Sequence, residues 1–180
     1  MPGPHGRPFA LRDAALGTAL LVASMAGCGG GGLQAGTYRG EGYSFRIGEV
    51  PPAWTPIEVS DAALAWRDPS AGGTAVVNAR CDRDGEDVPL ASLTQHLFLR
   101  FTDREVTTEE TVPFDGREAL HTVLTAKLDG VPKSFSVWVL KKDGCVYDLV
   151  YIAEPEGFGP GAAAFDRFAR GFRALPREDR

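Results

Sequence analysis

The chain predicts an α+β fold, a three-layer α/β/α sandwich on a mainly antiparallel sheet of about six to seven strands. Three observations predict it. Two amphipathic helical stretches stand far apart, one mid-chain and one terminal, and each needs a sheet face to cover its apolar stripe. Some strand-like stretches are apolar on both faces, as in a sheet covered on two sides. Asp129-Gly130 and Asp143-Gly144 make tight hairpin turns, so the strands they join run antiparallel.

The elements follow in order. Residues 43–47, Tyr-Ser-Phe-Arg-Ile, alternate apolar and polar with the period of a half-buried strand, and Pro51-Pro52 ends it. Residues 63–66 repeat the pattern and stop at Asp68-Pro69. After Ala71-Gly72-Gly73, residues 74–81 carry β-branched and small side chains on both faces and read as a central strand. Asp87 is placed to cap a helix with Pro89 in its first turn, and Leu90, Leu93, Leu97 and Phe101 follow at helical intervals. Strands are expected over 105–112, 119–128, 135–141 and 145–152. Pro160 stands near the start of a closing helix with Phe165, Phe168 and Phe172 on one stripe and Ala164 and Ala169 beside it; Pro176 ends it.

Tyr43-Ser44-Phe45-Arg46-Ile47, Pro52-Ala53-Trp54 and Leu64-Ala65-Trp66-Arg67-Asp68-Pro69, followed by a two-sided strand, a helix, a four-strand meander and a Phe-rich terminal helix, resemble the PsbP-like fold. That fold is shared by a photosystem II extrinsic subunit, bacterial DcrB-type lipoproteins and a Ran-binding nuclear import factor. The resemblance covers most of residues 38–174. It implies a module that binds or stabilises other proteins more than a catalyst, and it carries over no functional residue.

Residues 1–27 read as an export signal. Arg7 and Arg12 give a basic start, residues 14–26 are almost wholly apolar, and Ala26 and Gly27 are small. At about 1.5 Å per helical residue the run reaches roughly 20 Å, short of the ~30 Å hydrocarbon core, so it makes a poor permanent span. Met25-Ala26-Gly27-Cys28 resembles a bacterial lipobox, in which the cysteine takes a diacylglyceryl group and becomes the mature N-terminus. A plain secretory signal would instead leave Cys28 an incidental thiol. No Arg-Arg pair marks a twin-arginine route. Two or three acyl chains, palmitate among them, hold a protein stably on a bilayer where one does not. By the same resemblance, Gly29 after the cysteine favours the outer membrane over the inner, with the domain in the periplasm or at the cell surface. Residues 28–36 carry four consecutive glycines and read as a flexible tether of roughly 15 Å; residues 37–176 form the domain and residues 177–180 a polar tail.

Arg7, Arg12 and Asp13 lie in the signal, so of 19 basic and 24 acidic side chains the remainder keeps 17 and 23, a formal charge of −6. That balance gives no electrostatic footprint for nucleic acid. Arg167, Arg170 and Arg173 fall at helical spacing and read as a solvated helix face. The expected partners are the membrane, through the lipid, and another envelope protein.

Once Cys28 is acylated, Cys81 and Cys145 remain as a pair at strand ends in an exported chain, which points to a disulfide; two separate buried thiols are the alternative. Residues 82–87, Asp-Arg-Asp-Gly-Glu-Asp, raise the question of calcium, but the twelfth position counted from Asp82 is Leu93 where an EF-hand needs glutamate. A solvated turn with a helix cap is the reading, and no metal or cofactor is expected beyond the lipid on Cys28. His96 and His121 have no Gly-x-Ser-x-Gly or His-Glu-x-x-His around them, and no catalytic residue is assigned. Asp148 interrupts an apolar strand and is expected to meet an arginine, a backbone N–H or water. It is a candidate for a polar feature in a pocket. Tyr147 and Tyr151 fall on the opposite face of that strand. A carrier of a small apolar ligand would need a sheet-helix cavity lined by residues such as Trp138 and Tyr147. An envelope hydrolase would need His121 or His96 to meet a hydroxyl and a carboxylate in a cleft.

Overall fold

The computed structural model describes Met1, Gly3, residues 32–81 and residues 88–176. The export signal apart from Met1 and Gly3, Cys28 with the glycines 29–31, the acidic run 82–87 with Asp87, and the tail 177–180 lie outside the described residues. Two sheets form. A seven-stranded one has the order β4 (Thr55–Ile57), β5 (Leu64–Asp68), β6 (Gly73–Cys81), β10 (Cys145–Ala153), β9 (Val131–Lys142), β8 (Arg117–Leu128), β7 (Thr102–Phe114), antiparallel throughout. The second has the order β1 (Gly32–Gln34), β2 (Thr37–Gly40), β3 (Tyr43–Arg46), β11 (Arg173–Leu175). The expected three layers are present. Helix α1 (Leu90–Leu97) covers one face of the large sheet, its Leu93 and, just past its end, Phe98 clustering with Leu124, Phe135, Val137 and Val139. Helix α2 (Pro155–Arg170) covers the other with Phe165 and Phe168 on Tyr151, Trp54 and Trp66. The small sheet shares α2's side, where Phe45 packs on Tyr147 and Phe172.

Turn chemistry sets the meander. Asp115-Gly116, Asp129-Gly130 and Asp143-Gly144 each hold two successive positive φ angles, the mirror-image turn whose twist matches the strands it joins. Asp115 also holds the chain end, accepting Lys142 Nζ at 2.9 Å and the Ala174 N–H at 2.8 Å.

The structure corrects several expectations. Gly32 to Gln34 is not tether: Leu33 pairs with Tyr38, and a tight turn at Ala35-Gly36, both at positive φ, closes the hairpin. Ladder bonds to β2 offset the cost of ordering a glycine-rich stretch. The strand over 43–47 belongs to the small sheet, because Phe45 caps Tyr147 in the helix layer. Helix α1 stops at Leu97, and Phe101 packs on Phe98 and Phe135 from beyond it. Helix α2 starts at Pro155, where a missing N–H costs nothing, and Pro160 lies inside it. Arg173 is on β11, so it does not share a helix face with Arg167 and Arg170, and Pro176 follows a strand.

Candidate functional site

Cys81 and Cys145 stand opposite each other in the β6–β10 ladder, 4.1 Å apart at Cα, and are disulfide-bonded. The pairing register alone brings them together, since Asp148 to Asn78 and Leu149 to Val77 fix the two strands.

Asp148, Trp138 and Tyr147 do not share a pocket. Asp148 sits among residues on the α1 face, fully buried, and accepts Arg80 Nη1 at 2.6 Å. An arginine was one of its three expected partners, and the pair crosses from β10 to β6. Trp138 and Tyr147 point to the α2 face and are packed. Tyr147 meets Phe45 and Phe172, and Trp138 meets Phe114, the His121 ring at 4.1 Å between centroids, and the Arg170 guanidinium at 5.0 Å. They therefore do not line the cavity that the carrier reading asked of them.

Open space lies elsewhere. A groove of about 690 Å³ is bounded by Leu33, Tyr38, Ile57, Val59 and residues 62–65. Another, of about 300 Å³, opens between α1 and β7, lined by Thr94, Phe98, Arg104, Val106 and Leu124. No sequence pattern marks either groove, because each is made by elements distant in the chain.

His121 meets both groups a triad needs. Its Nε2 is 3.1 Å from Ser136 Oγ and its Nδ1 3.5 Å from Glu110 Oε1. Ser136, however, is 3% exposed in the middle of β9, whose backbone is committed to ladders with β8 and β10 on either side, so β9 itself offers no free N–H to hold an oxyanion. His96 lies in the last turn of α1. Among the described residues no group of three His, Cys, Asp or Glu side chains converges on a common point.

One polar cluster was invisible in the sequence. Asp68, buried at the end of β5, accepts the Ser70 hydroxyl at 2.6 Å, the Ser70 and Ala71 N–H groups, and the Tyr151 hydroxyl at 2.8 Å. Burial pushes the Asp68 carboxyl up, but these donors outweigh it and hold it below the usual carboxylate range. Burial, and next the bond to Asp68, push the Tyr151 phenol up. Tyr43 is raised to about 12 by burial and then by Tyr38.

No family model matches the chain, and no curated protein is similar to it in sequence. Solved structures are similar in shape. A cyanobacterial PsbP from Synechocystis matches 84% of this chain over 99% of its own, at 17% identity and TM-score 0.57. LpqN of Mycobacterium tuberculosis, described as involved in cell envelope biogenesis, matches 76% over 87% of its own at 17% identity and TM-score 0.54. A Ran-binding protein of Saccharomyces cerevisiae matches 75% over 91% at 12% identity and TM-score 0.54. At these identities the likeness speaks to architecture, and with the sheet and helices described above it shows that the chain has the PsbP-like fold.

Proposed function

We propose that the chain is a lipid-anchored extracytoplasmic protein of the bacterial envelope whose PsbP-like domain binds or assembles another envelope protein without a catalytic step. One observation carries this: the lipobox-like Met25-Ala26-Gly27-Cys28 ends four residues before the first strand, so an acylated Cys28 would lead directly into the domain. Three features support the binding half. Among the described residues the buried carboxylates are held in structural pairs, Asp148 with Arg80 and Asp68 with Tyr151. Trp138 and Tyr147 are packed into the core. One of the shape neighbours is described by its role in envelope biogenesis. The test is expression with and without Cys28→Ala. The native chain is expected in the membrane fraction with a diacylglyceryl mass on Cys28, the variant in the soluble fraction, and crosslinking of the native chain in membranes should trap a discrete envelope protein. A variant that stays fully membrane-bound and is still processed at the same site would sink the anchor.

A second reading, hydrolysis, draws on Ser136, His121 and Glu110. It expects a fluorophosphonate probe to label Ser136, whereas the buried hydroxyl favours no labelling.

A further inference from the structure

Eight large apolar side chains stay exposed among the described residues, as some apolar surface ordinarily does, and two of them, Leu128 and Val131, face each other beside the β8–β9 turn. Three others share a groove. Leu33 on β1 (39% exposed), Ile57 on β4 (38%) and Val59 just after it (39%) rim the same groove of about 690 Å³. Their grouping has a cause in the topology. β1 is an edge strand of the small sheet and β4 an edge strand of the large one, so two edges border one trough. Tyr38, opposite Leu33 in the β1–β2 ladder, adds a half-buried ring with the apolar body and polar tip that suit a membrane interface.

The trough also lies close to the lipid-attachment residue. Because β1 begins at Gly32, only three residues separate Cys28 from the wall of the groove, a step of four along the chain. A chain spans at most about 3.5 Å per residue, so Cys28 stands within about 14 Å of Gly32. The headgroup layer on each side of a bilayer is only about 5–8 Å thick. A cysteine whose acyl chains enter the hydrocarbon therefore keeps this rim near the headgroups.

We propose that the Leu33–Ile57–Val59 face is a second membrane contact, docking on the same lipid surface that holds Cys28. The proposal rests on the anchoring reading above. Glu58 and Ser60 line the groove beside the apolar rim, and the chain after Gly27 carries a formal charge of −6. Attraction to anionic lipid therefore contributes nothing, and the contact is apolar, matched to zwitterionic lipid and indifferent to salt.

The experiment uses the full acylated chain in phosphatidylcholine vesicles, with Val59→Cys carrying a polarity-sensitive dye and brominated lipid as quencher. Val131→Cys, exposed on β9 and four strands from β4 in the sheet order, is the reference. Several-fold stronger quenching at position 59 than at 131 is expected, unchanged between low and high salt. It should persist when ten Gly/Ser residues are inserted before Gly32. Equal quenching at the two positions in a chain whose mass shows acylation overturns the contact and leaves the anchor standing. Quenching that vanishes with the longer tether shows mere proximity and also overturns it. A dye shift that grows with protein concentration without vesicles assigns the face to a second copy instead. A chain without the acyl mass removes the anchor, and the contact with it.

Discussion

Asp68 is the residue on which the pH response of the fold turns. Its folded pKa is depressed, so its contribution to stability is present above the unfolded value, near 4, and is lost as pH falls through the folded value. Tyr151 and Tyr43 work at the other end. Their pKa values are raised, so their contributions hold below about 10 and are lost as pH climbs through the folded values, about 12 for Tyr43. Asp68→Asn is expected to cost about 1–3 kcal/mol at pH 7, because the hydroxyl and backbone N–H donors then face a weaker acceptor. The cost should shrink by pH 3, where the native carboxyl is itself becoming protonated. Urea unfolding at the two pH values checks this, and an equal cost at both would contradict it. Asp148 was legible from sequence as a group needing a partner, since a charge interrupts an apolar strand. Asp68 read only as a strand stop. Its partner Tyr151 is 83 residues away, and no local pattern announces a contact of that range.

Helix α2 shows how closely an element is fitted to its neighbour. Gly161 on the helix and Gly73 on β6 both face the Tyr151 ring and hydroxyl, and a Cβ on either would collide with them. Alanine is the better helix former by about 1 kcal/mol, yet Gly161→Ala is expected to destabilise by about 1–3 kcal/mol, because the collision outweighs the propensity. Gly159→Ala, on the same helix and facing open space, should show only the propensity gain. Thermal melts of the two variants should move in opposite directions; a shared direction would mean the fit is loose. The helix itself was legible from the Phe165–Phe168–Phe172 stripe, but its start was misplaced. Two prolines lie near the N-terminal end, and the first-turn preference for proline fits either one. The β8–β9 and β9–β10 hairpins were legible because Asp-Gly dictates their turns. Strands β1, β4 and β11, three residues each, are too short to show a period and exist through partners elsewhere in the chain.

At the scale of the molecule, the large sheet is two contiguous blocks, β4–β5–β6 and β7–β8–β9–β10, joined through the single β6–β10 ladder. The Cys81–Cys145 bond spans that seam across a separation of 64 residues, which in the chain-entropy model contributes about 4 kcal/mol. Reduction, or Cys145→Ser, should lower stability by about that amount in urea titrations; an unmoved midpoint would mean the ladder alone holds the seam. Antiparallel sense was readable in the sequence, and so were six of the seven strands of the large sheet, all but β4. Strand order was not, since every strand in an antiparallel sheet can in principle neighbour several others, and the cysteine pair was the one clue to which edges meet. Of the second sheet only β3 was read, as residues 43–47, because β1 and β11 are too short to carry a pattern.

The seam also sets a timetable. A chain made or threaded N-terminus first completes β4–β5–β6 while β10 has yet to arrive, so one side of β6 waits with its N–H and C=O groups bare. An open strand edge of this kind is a template for pairing with any other extended chain. The wait lasts for the residues that separate Cys81 from Cys145, and through it the half-built sheet is exposed to mispairing or to a holding chaperone. An oxidised Cys81–Cys145 bond is thus a chemical timestamp, recording that the vulnerable interval has closed.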